Sequence, residues 1–162
     1  MARRKVLLVP FSAVAFVLIA TSLAWACITV KGEATIAKVV HKSDAAADCG
    51  DEEKCAAPGD VIKAKATGSV PLTEYFLHFR NYNATNRNKT NCYGNAVEPD
   101  EKISAKSVVS DETGKIRALK GTIPASAEST TGTPNSLFGP SLVCFIDTSR
   151  NILTEADTLT II

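Results

Sequence analysis

The sequence predicts an all-β domain, built as a two-layer sandwich of about seven strands. Three observations lead there. The chain beyond residue 27 is a series of short runs rich in β-branched and aromatic residues, the runs are separated by Gly, Pro, Asn and Asp, and no long stretch carries an apolar stripe at helical spacing.

The elements follow in order. Residues 35–40 read as a first strand, and residues 44–59 as an alanine-rich acidic loop that carries Cys49 and Cys55 and closes on a Pro58-Gly59 turn. Residues 61–67 alternate, with Ile62, Ala64 and Ala66 on one face and Lys63 and Lys65 on the other, as a half-buried strand requires; the lysine face should meet water. Residues 73–80 make the strongest strand, placing Tyr75, Leu77 and Phe79 on one side and Glu74, Phe76, His78 and Arg80 on the other. Asn81, Asn83, Asn86, Asn88, Asn91 and Asn95 mark a long polar loop.

Two further strands, at 103–109 and 115–123, flank Asp111-Glu112-Thr113-Gly114, which reads as a hairpin turn with glycine where φ is positive. Pro124 stops the second arm. A Ser/Thr/Gly/Pro linker over 125–140 leads to strands at 142–146 and 158–162.

The amino terminus adds a compartment. Arg3, Arg4 and Lys5 precede an uncharged stretch over 6–26 that ends in Ala24-Trp25-Ala26, whose small residues at the first and third positions suit signal-peptidase cleavage. Residues 1–26 are therefore expected to be a signal peptide and 27–162 a single domain at the extracellular face of the cell envelope or secreted. The alternative is an uncleaved anchor, since the apolar stretch is long enough to cross a bilayer.

Five cysteines in an oxidising compartment leave one to explain. Cys49, Cys55, Cys92 and Cys144 are expected to form two disulfides, most simply a local 49–55 clip and a long-range 92–144 bridge, although four cysteines allow three connectivities. Cys27, directly after the cleavage site, is assigned to lipidation or to an additional disulfide.

Net charge is +1, from 18 basic and 17 acidic residues, and part of the basic count lies in the leader. The remainder is slightly acidic, which argues against nucleic acid and other polyanions as partners. Membrane contact is expected only through a lipid on Cys27 or an uncleaved leader. The partner expected is an unidentified protein or cell-wall component.

Catalytic and cofactor signals are weak. His78 is expected at the surface or a sheet edge rather than as a base, and His41 beside Lys42 is less promising still. No Gly-x-Ser-x-Gly elbow, HExxH or phosphate loop occurs. No cysteine pair has C-x-x-C spacing, and Asp44, Asp48, Asp51, Glu52 and Glu53 lack EF-hand spacing, so no metal or other cofactor is assigned. Asn83-Ala84-Thr85 and Asn88-Lys89-Thr90 have the form of glycosylation sequons, and Tyr82 and Tyr93 could stack on a ring.

Two phrases carry a family resemblance. Pro58-Gly59-Asp60 with the alternating 61–67 strand, Gly68, Pro71 and the next strand resembles the opening of secreted bacterial immunoglobulin-like modules. Ser110-Asp111-Glu112-Thr113-Gly114-Lys115-Ile116 followed by Gly121-Thr122-Ile123-Pro124 resembles their second half. The order is also distantly similar to neocarzinostatin-type apoproteins. The resemblance implies an immunoglobulin-like β-sandwich and a non-enzymatic module for binding or adhesion at the cell surface; the alternative it implies is a small-molecule carrier with a hydrophobic cleft between its sheets.

Overall fold

Alternation of apolar and polar residues is strongest in the strands at 61–67 and 74–80, and these organise the domain. The computed structural model describes residues 28–42, 44, 49, 54–81, 90–94, 99–129 and 140–162. Among these there is no α-helix, and ten strands form one mixed sheet. In chain order the strands are β1 (Thr29–Val40), β2 (Cys55–Ala56), β3 (Val61–Thr67), β4 (Glu74–Arg80) and β5 (Glu101–Lys102). They continue with β6 (Val108–Val109), β7 (Ile116–Thr122), β8 (Ser141–Asp147), β9 (Ile152–Glu155) and β10 (Asp157–Ile161).

The pairing path runs β2-β10-β8-β9-β1-β3-β7, and β4 joins β8 while carrying β5 and β6 on its other side. Most pairs are antiparallel. Two are parallel, β1 with β9 and β10 with β2, so sequence-distant segments meet side by side.

Burial shows that the sheet doubles back over its own core. Tyr75, Leu77 and Phe79 of β4, Val143 and Phe145 of β8 and Leu159 and Ile161 of β10 share one cluster with Ala34 and Ile36 of β1, Ile62, Ala64 and Ala66 of β3 and Ile116 of β7. β4 and β7, which do not pair, thus face one another across the interior. A side chain on Gly121 of β7 would strike Ile103 and Leu77, which explains the glycine there. β8 is buried along both faces, and its apolar run over 142–146 lacks alternation for that reason.

The structure corrects several sequence expectations. Residues 103–109 are not one strand and do not form a hairpin with 115–123. The Asp111–Gly114 turn is present, with Gly114 at φ +76° and its N–H bonded to the Asp111 carbonyl at 2.9 Å. Its flanks diverge, however: β6 pairs with β4, whereas β7 pairs with β3. Between β5 and β6, Ile103 donates to the Leu77 carbonyl at 2.9 Å and accepts from the Thr122 N–H at 3.1 Å, bridging the two sides of the fold. The Ser104 hydroxyl receives the Leu77 N–H at 3.0 Å, taking over a ladder bond.

β1 begins earlier than expected, and β2 and β9 were not anticipated. Gly32 lies in β1 at φ +88°, pressed against the backbone of Thr67 and Ser69. Gly114 is as tight, because a Cβ there would fall on the Ser69 carbonyl. Gly114→Ala combines that clash with a left-handed φ and should destabilise the fold by at least about 1 kcal/mol, read as a lower urea midpoint with unchanged slope. The leader 1–26, Cys27, Asp48, Asp51, Glu52, Glu53, Tyr82, Asn83 and Asn88 lie outside the described residues.

Candidate functional site

The outer face of β4 and β8 is the most densely functionalised part of the fold. On β4, the residues opposite the core are Phe76, His78 and Arg80. Against expectation His78 is buried, at 5 % exposure. A segment over 90–94 lies across this face, held by the Cys92–Cys144 disulfide and by the Ala156 N–H bonded to the Thr90 carbonyl at 2.7 Å. Cys92, Leu142, Cys144, Ile146 and Leu153 form a second small core beneath it, with Tyr93 packed alongside. The Arg80 guanidinium donates to the Tyr93 carbonyl at 2.9 Å.

Asp100 is the hub. Its carboxylate is 1 % exposed and receives His78 Nδ1 at 2.7 Å, the Gly94 N–H at 2.8 Å and an Arg150 nitrogen at 2.5 Å. An ionised carboxylate only accepts hydrogen bonds, so Nδ1 of His78 is the donor in this pair. Burial alone would raise the carboxyl's pKa; the bonds from His78, Arg150 and Gly94, with the charge of Arg150, outweigh it and hold Asp100 far below the usual range. The same bond raises the pKa of Arg150, whose guanidinium also lies 5.2 Å from the centre of the Tyr93 ring.

Arg150 reaches this place through a shaped turn between β8 and β9. Its φ is +60°, unusual for a residue with a side chain. Asp147 holds the turn by accepting the N–H groups of Asn151 at 2.8 Å and Ile152 at 2.7 Å and the hydroxyl of Ser149.

A histidine oriented by a buried carboxylate is the geometry of a general base. Among the described residues no Ser or Thr hydroxyl is bonded to this imidazole, and the nearby cysteines are joined to each other. The cluster fastens the 90–94 strap and the β8–β9 turn to β4.

A second carboxylate hub stands just before β3. Asp60, 1 % exposed, accepts from the Lys42 N–H at 2.7 Å, His41 Nδ1 at 2.8 Å and the Ala57 N–H at 2.9 Å. Burial opposes ionisation, and the bonds from Ala57, Lys42 and His41 prevail, so its pKa is lowered. Beside it the Pro58-Gly59 turn, tied to Ile123 by the Gly59 N–H at 2.9 Å, borders an open groove of about 450 Å³. Ile103, Ile123 and Pro124 give this groove an apolar floor, with Glu101 and Lys102 at its wall.

Asp60, Asp100 and Asp147 share one consequence, since all three are more acidic in the fold than in the unfolded chain. Their stabilisation is complete above the unfolded carboxyl value of about 3.9 and is lost as pH falls through the lower folded values. Melting temperature should therefore be flat from neutral pH to about pH 5 and fall steeply below about pH 4. A protein equally stable at pH 2.5 and pH 7 would contradict these three networks.

The cysteines of the sequence reading lie together as pairs, Cys49 with Cys55 at 5.6 Å between Cα atoms and Cys92 with Cys144 at 6.0 Å. Asp44 is exposed, and among the described residues no group of His, Cys, Asp or Glu is arranged to hold a metal. Asp100 and Arg150 escaped sequence reasoning. Asp100 is one charge within Glu98-Pro99-Asp100-Glu101-Lys102, and nothing in that run marks it as buried. The Asp147-Thr148-Ser149-Arg150 turn was the readable signal for Arg150. No protein-family model, curated protein or solved structure matches the chain.

Proposed function

We propose that the chain is exported, that residues 1–26 are removed, and that residues 27–162 form a non-catalytic, immunoglobulin-like module that binds at the cell surface through its outer faces. One observation carries the choice of a surface-binding module over a carrier. The space between the facing strands is filled by Tyr75, Leu77, Phe79, Ile116, Val143 and Phe145, each at most 1 % exposed, and the groove of about 450 Å³ beside Pro58-Gly59 lies open to solvent, where a carrier needs an enclosing apolar cleft of several hundred Å³ between its sheets. The two cysteine pairs are compatible with an oxidising exterior. Support for the immunoglobulin-like arrangement comes from β1-β3-β7 lying over β4-β8 and from three crossings between these groups, β3 to β4, β6 to β7 and β7 to β8.

The experiment is mass spectrometry of the protein recovered from its native host. The intact mass should correspond to a chain beginning at Cys27 with both disulfides closed; a diacylglyceryl increment would assign Cys27 to a lipid anchor. An organic extract of the same protein should hold no stoichiometric apolar compound. Finding one would replace this reading with the neocarzinostatin-like carrier.

A further inference from the structure

The outward face of β1-β3-β7 concentrates positive charge that the balanced composition conceals. In the ladder Lys63 of β3 pairs directly with Lys38 of β1 on one side and with Lys120 of β7 on the other. Ile62 and Ala64, which flank Lys63, are wholly buried, so Lys63 and its two partners point away from the core. Two residues along β3, Lys65 is exposed beside Thr35, and the irregular stretch of β7 opposite it presents the exposed Arg117. Among the described residues none of these five cations forms an ion pair, and Glu33 is the one acidic residue these strands place on the same face.

Like charges directly opposite one another on a sheet repel. Lysines at sheet edges are common because they deter edge-to-edge association, but that does not account for Lys63, which lies on a strand paired on both sides. A row of three lysines across three strands places positive charge at intervals of about 4.8 Å, and the Lys65 row follows about 6.6 Å further along the strands. Such a flat lattice complements a polymer with regularly repeated anionic groups. Among the described residues, β1, β3 and β7 carry on this face no aromatic ring for stacking bases and no exposed apolar wedge for entering a bilayer, while Thr35 and Thr67 add hydroxyls.

We infer that this face docks an anionic polysaccharide, through Lys38, Lys63, Lys65, Arg117 and Lys120. The inference rests on the reading of the chain as a surface-binding module and supplies its partner chemistry.

The test is binding of the protein to dextran sulfate, with uncharged dextran as control, at several salt concentrations. Affinity should fall steeply with salt, and Lys63→Glu should weaken it about tenfold by removing two effective charges from the centre of the face. Lys106→Glu makes the same charge change on the loop between β5 and β6 and should stay within about twofold of the unaltered protein. The melting temperature of Lys63→Glu should be unchanged or raised, since the new carboxylate lies between Lys38 and Lys120, so a loss of binding cannot come from unfolding. Equal weakening by both variants, or no weakening by Lys63→Glu, overturns the assignment. Tighter binding to phosphatidylserine vesicles or to a short DNA duplex than to dextran sulfate overturns it as well. A stoichiometric apolar ligand in the organic extract would remove the module reading while leaving this comparison of variants intact, so the two failures are distinguishable.

Discussion

Replacing Cys92 and Cys144 together by alanine should lower the free energy of unfolding by about 4 kcal/mol, against about 2 kcal/mol for the same change at Cys49 and Cys55. The difference arises in the unfolded chain. The first bridge joins residues 52 apart in sequence and the second residues 6 apart, so the first removes far more conformational freedom. The long bridge also pins the 90–94 strap over Leu142, Ile146 and Leu153, so its loss should uncover apolar surface on β8 as well. Urea unfolding of the two double variants measures both effects. A larger loss from the 49–55 pair would show that the long bridge closes a loop already organised by other contacts.

Asp100→Ala should also be damaging, at about 3 kcal/mol, because it leaves the buried Nδ1–H of His78 without an acceptor and removes the anchor of the strap. Arg150→Ala provides the contrast. Arg150 donates to the same carboxylate, but its side chain is 43 % exposed, and water can replace much of what it loses. Its removal should cost no more than about 1 kcal/mol. The asymmetry follows from where each partner sits rather than from bond length. If both variants lost equal stability, the cluster would be held by the ion pair at its rim rather than by the buried His78–Asp100 bond. Asp100→Asn should in addition flatten part of the acid-side loss of stability, since one of the depressed carboxyls would no longer titrate.

The strands with an alternating apolar face were legible in the sequence. Residues 61–67 and 73–80 alternate, and the predicted inner faces, Ile62, Ala64 and Ala66 with Tyr75, Leu77 and Phe79, are buried, although on the second strand His78 and Arg80 of the other face are buried as well. The strand at 142–146 was legible from its apolar run. Pairing was not legible, because a turn such as Asp111–Gly114 reports a reversal of the chain and not whether its arms pair with each other. Here Ile103 and Ser104 satisfy backbone groups across the fold, and β6 and β7 part to different neighbours. The position of His78 was misjudged for a related reason. Its alternation places it opposite the core, and nothing local reveals that the strap from 90–94 covers that side. The lysine row had the same character: Lys38, Lys63 and Lys120 are remote in sequence, and only strand register aligns them.

The parallel pairing of β1 with β9, and the place of β10 between β2 and β8, bear on the order in which this fold can assemble. β1 cannot gain its second neighbour until residues 152–155 have been made. Nor can β2 be paired until residues 160 and 161 arrive. Early hairpins therefore leave open edges, and closure waits for residues 152–161. Pairing between such distant segments makes closure slow by the standard of locally connected folds.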